Sequence, residues 1–231
     1  MHFYIGSVIK AENESPADEG ELDGNTGEQS VVTTVVVHKT DFQQKKFAHF
    51  HELGDFLIKN AKRNNQIIND VLPVLQNGGK CLLLTERIEH CQILMALMRK
   101  NIKGIHSEIA EGKMTKNERK RISGRIRQDR FQLLIATGKL IGEGFDWPEV
   151  SNLFLAFPFS WKGNLIQYVG RVQRTAEGKK EAFIHDYVDE NVTMLNLMYF
   201  KRLRTYRLLG LIKNRLVSKK ETVSENQLSI F

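Results

Sequence analysis

Residues Gln167 to Arg174 read QYVGRVQR. On a helix, Gln167, Gly170, Arg171 and Arg174 fall at i, i+3, i+4 and i+7, so one amide and two guanidiniums share a face. Gly170 removes a side chain from that face and lets another surface come close. Arginine keeps its charge and offers a planar fork that suits phosphate oxygens. A solvated basic face would use the same residue types, so the surrounding sequence has to decide between the two.

Upstream lies the run FQLLIA, Phe131 to Ala136, which reads as a buried strand. Directly after it come Thr137-Gly138 and then Glu143-Gly144-Phe145-Asp146-Trp147-Pro148. Small residues after a strand let backbone N–H groups approach a phosphate. Asp146, on a Gly-containing turn, is placed to accept a ribose hydroxyl, and a connector anchored by Trp-Pro is the structural alternative. Further upstream, Thr85-Glu86-Arg87 ends another apolar strand, with a hydroxyl and a guanidinium at one sheet edge or a simple helix N-cap.

Working outward from these segments, strands and helices alternate from Lys80 onward. Strands are expected at Cys81–Leu84, Ile102–His106, Phe131–Ala136, Val150–Phe157 and Ala182–Val188. Helices are expected at Arg87–Lys100, Thr115–Asp129, Leu165–Thr175 and Thr193–Arg215, and Thr115 with Glu118 forms a capping box. Short apolar strands separated by helices imply a mostly parallel sheet covered on both faces. Ligands of such sheets collect at the carboxyl ends of the strands. Before Lys80, VVTTVVV (Val31 to Val37) is a further strand, and Phe42 to Leu75 carries helical spacing in two blocks. Ala11 to Ser30 is acidic, holds Pro16, Gly20, Gly24 and Gly27, and is expected to be a mobile loop.

The chain has 231 residues, 41% hydrophobic and 26% charged, which excludes disordered and collagen-like classes. Lys plus Arg number 34 against 27 Asp plus Glu, for a net charge of +7. Seven of the acids lie in residues 11–30, which hold no base, so setting that segment aside leaves the other 211 residues at +14. A body this basic suits a polyanionic partner, nucleic acid above all. Two zones concentrate the charge, Lys113 to Arg130 and residues 191–220, with eight bases each. No run of 18 apolar residues is present, so no membrane partner is expected. The first ten residues lack the features of a secretory signal. Cys81 and Cys91 read as free thiols, which fits a reducing, cytoplasmic location.

Several chemistries leave no trace. No G-x-x-x-x-G-K-[ST] phosphate loop occurs, and Gly79-Lys80, Gly112-Lys113 and Gly178-Lys179 each lack its other elements. Asp189-Glu190 after an apolar strand reads as a turn rather than a Mg²⁺ site. The seven histidines form no ligand grouping with the two cysteines, and His49 and His51 read as exposed helix residues. No metal site is expected.

Taken together, Thr85–Leu94, Ala136–Pro148 (A-T-x6-G-x-D-x-P) and Gln167–Arg174 (Q-x-x-G-R-x-x-R) resemble motifs IV, V and VI of the second RecA-like domain of superfamily 2 helicases and translocases. The likeness covers roughly Lys80 to Val188. Gln167 at the head of the last motif, and Arg87-Ile88-Glu89-His90, are similar to the DEAH-like branch, which holds DNA-repair helicases and restriction-enzyme motor subunits. The resemblance implies an α/β, RecA-like mostly parallel sheet at residues 78–190, a preceding linker region at 1–77, and a basic C-terminal helix and tail at 191–231. It also implies ATP and Mg²⁺ held mainly by a first RecA-like domain, which would be a partner alongside nucleic acid, DNA favoured over RNA. Arg171 and Arg174 would then reach the γ-phosphate, Arg174 as the arginine finger. Gln167, Gly144 and Asp146 would contact the nucleotide, and Thr85, Arg87, Thr137 and Gly138 the strand backbone. A passive nucleic-acid-binding module, or a protein-interaction domain descended from a motor, would keep the same fold without the chemistry.

Overall fold

The computed structural model describes residues 7–9, 31–102, 104, 106–110, 114–128, 130–139 and 146–212. The acidic segment 11–30, Gly144, Lys113 and the bases beyond residue 212 lie outside the described residues.

Among the described residues, seven strands form one sheet: β1 (Ser7–Ile9), β2 (Val32–Lys39), β3 (Cys81–Thr85), β4 (Ser107–Ala110), β5 (Leu133–Thr137), β6 (Asn152–Leu155) and β7 (Glu181–Val188). Their spatial order is β1-β2-β7-β6-β3-β5-β4. Every pair from β2 to β4 is parallel, and β1 alone runs antiparallel, on the edge beside β2. Six helices are described: α1 (Phe50–Lys59), α2 (Ala61–Gln76), α3 (Ile88–Asn101), α4 (Lys116–Arg127), α5 (Lys162–Val172) and α6 (Thr193–Leu208).

Alternation along the central strands sorts side chains to two faces. Leu82 and Leu84 of β3, with Leu134 and Ala136 of β5, join one core; Ile122 and Ile126 of α4 and Leu165, Tyr168, Val169 and Val172 of α5 pack into it. Cys81 and Leu83, with Leu133 and Ile135, face the other way, into Ile67, Ile68 and Val71 of α2 and Leu94, Met95 and Met98 of α3. Both faces are therefore covered, and this is why the strands read as continuous apolar runs. The expected α/β architecture, a mostly parallel sheet with helices on both faces, is the observed one. The VVTTVVV strand is part of it, since β2 pairs with β7 along its whole length.

Several element boundaries differ from the sequence expectation. The strand expected at Ile102–His106 begins instead at Ser107, because Ile102 caps α3 through a 3.1 Å bond to the Met98 carbonyl and Gly104 turns the chain at φ 91°. The last helix stops at Leu208 rather than running to Arg215. Gly210 takes φ 69°, Leu211 N–H bonds back to the Tyr206 carbonyl at 3.0 Å, and Leu211 and Ile212 fold into the core. In the first apolar block, Phe42 and Phe47 precede α1, and Phe42 packs with Leu53, Leu57 and Phe157. The capping box of α4 is present: Glu118 N–H donates to the Thr115 hydroxyl at 3.3 Å and Thr115 N–H to the Glu118 carboxylate at 2.7 Å.

Candidate functional site

The QYVGRVQR segment divides between helix and loop. Helix α5 ends at Val172, and Gln173 N–H closes it on the Val169 carbonyl at 3.0 Å. Gln167 and Gly170 are exposed and Arg171 is half-buried on the helix, as the spacing predicts. Arg174 is not on the helix face. It lies in the loop beyond, because Gln173 is drawn to the sheet by a 3.1 Å bond from its amide to the Thr33 hydroxyl. The Arg174 carbonyl, instead of continuing the helix, accepts from the Lys179 ammonium at 2.9 Å.

The Arg174 guanidinium pairs with the Asp146 carboxylate, on an exposed surface. The structure thus joins the two residues that the sequence singled out in separate motifs. Asp146 is fixed from below by its neighbours: Trp147 and Val150 are buried, and Trp147 packs edge-on against Phe131 at 5.2 Å. This pair does not lie at the carboxyl edge of the sheet. Asp146 precedes β6, and the loop holding Arg174 leads into β7, so the pair sits toward the amino ends of these strands.

Thr85 and Thr137 do end β3 and β5 at the carboxyl edge, and they face each other in the register. Both are buried. The Thr85 hydroxyl is 2.8 Å from Nδ1 of buried His90, whose Nε2 is 3.0 Å from the Asn64 amide oxygen. Burial and the nearby Arg63 and Arg87 charges hold the His90 ring near a pKa of about 3, so it is neutral. Gly138, next in the chain, has no room for a side chain: a Cβ would overlap the Tyr168 hydroxyl and come 2.7 Å from the Glu86 carboxylate. Arg87, two residues beyond β3, is engaged by α1. Its guanidinium pairs with Asp55, donates to the His51 carbonyl at 2.6 Å and lies 5.8 Å from the centre of the Phe157 ring.

Two buried ion pairs escaped the sequence reading. Arg63 donates to Asp189 at 2.8 and 3.2 Å and to the Ala156 carbonyl at 2.6 Å, while the Thr40 hydroxyl adds a 2.5 Å bond to Asp189. Asp189 is thereby a structural clamp at the end of β7, consistent with a turn. Arg202 donates to Asp186 at 2.8 and 2.9 Å and to the Phe159 carbonyl at 2.7 Å, and the Tyr206 hydroxyl bonds Asp186 at 2.9 Å. Arg202 therefore leaves the basic zone it was counted in. Lys120, Arg121 and Arg127 on α4 remain exposed, whereas Arg125 pairs with Glu108.

The Arg174–Asp146 pair offers a guanidinium and a carboxylate, and Arg171 and Gln167 add a guanidinium and a carboxamide on α5. That set suits phosphate oxygens and a ribose hydroxyl. Among the described residues, no three His, Cys, Asp or Glu side chains converge to hold a metal ion. No helix among them is long and apolar enough to cross a membrane.

Residues 63–176 match the family described as "Helicase conserved C-terminal domain". A protein of Sulfolobus islandicus filamentous virus (isolate Iceland/Hveragerdi), "Putative helicase 22", is 30% identical over 125 residues, which are 54% of this chain and 22% of that protein. The chain thus matches about a fifth of the length of this relative. Among solved structures, the DUF1998 helicase MrfA bound to DNA and AMPPNP superposes with a TM-score of 0.58 at 14% identity, over 81% of this chain and 24% of that one. The C-terminal part of the Fun30 ATPase domain gives 0.54 at 15% identity, over 77% and 52%. The fold is the RecA-like fold of helicase C-terminal domains.

Proposed function

We propose that this chain is the C-terminal motor half of an ATP-dependent helicase or translocase of the DNA-repair or restriction type, acting on DNA in preference to RNA. The observation that carries this reading is the Arg174–Asp146 pair on an exposed surface, where a guanidinium and a carboxylate from separate loops meet. ATP, held on a P-loop domain, supplies the phosphoryl group. Arg174 leaves Asp146 to meet the charge that develops on that group, and the freed carboxylate takes a ribose hydroxyl. Arg171, on the last turn of α5, and Gln167, a turn before it, face the same phosphates. Thr85, Thr137 and Gly138 at the opposite edge approach a strand backbone, and the exposed bases of α4 add a sequence-independent field.

The test is phosphate release by the 231-residue chain alone and after fusion to a P-loop domain, with and without single-stranded DNA or RNA. No turnover is expected from the chain alone, because its sequence contains no P-loop to hold the β- and γ-phosphates. DNA-stimulated turnover is expected from the fusion. Turnover by the chain alone that a substitution within it abolishes, or a fusion indifferent to nucleic acid, contradicts the reading.

A further inference from the structure

We propose that Lys179 is a positioning residue for Arg174, fixing the base of the arginine while its guanidinium stays free to move. This rests on the reading of Arg174 as the residue that meets the transferring phosphoryl group.

The chain after α5 makes an unusual return. A continuing helix would give the Arg174 carbonyl to the N–H of residue 178. Gly178 instead adopts φ 74°, a left-handed turn open to glycine, and Lys179 N–H closes on the Ala176 carbonyl at 3.0 Å. The Lys179 side chain then folds back and is 9% exposed. Its ammonium donates to the Arg174 carbonyl at 2.9 Å and to the Pro148 carbonyl at 2.8 Å. One cation thereby ties the loop that carries Arg174 to the turn that follows Asp146.

The choice of lysine has a cost. Burial brings the ammonium down to a pKa of about 8, with the Glu149 charge opposing that shift. An apolar side chain would fill the same space without a desolvation penalty. An ammonium has three donors and no acceptor, and so can serve two carbonyls from different loops at once.

The two loops are joined twice, and the joints differ in kind. The Arg174–Asp146 joint is made by side chains at the surface and must open when the guanidinium turns to a phosphate. The Lys179 joint is made to backbone carbonyls and need not open. The tip of Arg174 can swing while its Cα keeps its place relative to Asp146.

The experiment compares Lys179→Met and Lys179→Arg with the parent, in the fusion to a P-loop domain, at saturating ATP and single-stranded DNA. Lys179→Met keeps the length of the side chain and loses the donors. It should lower kcat by about 10²-fold, the scale of a misplacement near 1 Å, with the KM for ATP and the affinity for DNA changed less than about twofold. Lys179→Arg, which keeps donors, should recover part of the loss. If Lys179→Met fails to fold by circular dichroism, Lys179→Gln, with one donor group, takes its place and should show the same split. Arg174→Ala in the same assay separates the premise from the proposal. If it leaves kcat unchanged, the reading of Arg174 falls. If it abolishes turnover while Lys179→Met leaves kcat at the parent value, or raises KM instead, Lys179 does not position Arg174.

Discussion

Gly54 and Arg87 show how one missing side chain changes the reading of another residue. A Cβ on Gly54 would come 2.5 Å from Nη2 of Arg87, so the glycine is what lets the guanidinium lie against α1 and reach Asp55. The obstructing atom is the far end of a flexible side chain, so Gly54→Ala should displace Arg87 rather than disrupt α1. The alanine gains about 0.5–1 kcal/mol of helix stability, which offsets the lost Arg87 contacts, and the net change in unfolding free energy should stay within about 1 kcal/mol. Released from Asp55, Arg87 becomes available to a strand phosphate. The log K against log salt slope for single-stranded DNA should then steepen by about 0.7. Binding titrations at four or more salt concentrations check this, and an unchanged slope means that Arg87 stays off the strand. Sequence gave Arg87 as a basic residue at a strand end, which is where it lies. Its engagement with Asp55, 32 positions away, depends on how α1 docks and has no local signature.

Among the elements, α6 shows why a count of charges misleads. Lys201 and Arg202 are adjacent, and both were assigned to one basic zone. In the fold Lys201 is exposed, whereas Arg202 is enclosed with Asp186 of β7 and Tyr206. Removing one partner of a buried pair strands the other charge, at a cost of about 3–5 kcal/mol. Arg202→Met should therefore lower the unfolding free energy by about that amount, while Lys201→Met should change it by less than about 0.5 kcal/mol. Urea denaturation of the two variants checks it, and equal midpoints would mean that the pair adds nothing. The strands were legible because burial on both faces leaves unbroken apolar runs such as LLIAT in β5. The helix ends were less so. At α5 the amide of Gln173 bonds to Thr33, 140 residues away, and at α6 the chain stops because Leu211 and Ile212 have a core to enter. Both causes are tertiary, and a helical period carries neither.

Over the whole molecule, the candidate groups occupy two ends of one sheet. Thr85, Thr137 and Gly138 stand at the carboxyl ends of β3 and β5, and Asp146 and Arg174 stand toward the amino ends of β6 and β7. Gly138 and Asp146 are eight positions apart in the sequence, so the segment read as a single motif contributes to both groups. Spacing grouped these candidates at one edge, because a motif string does not record on which side of a sheet its halves emerge. On the proposed motor reading, an event at Arg174 and Asp146 is linked through the intervening sequence to the edge proposed to face a strand. The central claim of that reading is that Arg174 acts on charge that develops only in the transition state, which predicts loss of rate without loss of binding. The direct measurement is the maximal ATP turnover of the fusion to a P-loop domain, at saturating ATP and single-stranded DNA, for parent and Arg174→Ala. The account predicts a fall of roughly 10³- to 10⁵-fold with ATP and DNA affinities little changed; an unchanged maximal rate, with only a small drop in DNA affinity, would make Arg174 one more base in a basic surface and contradict it.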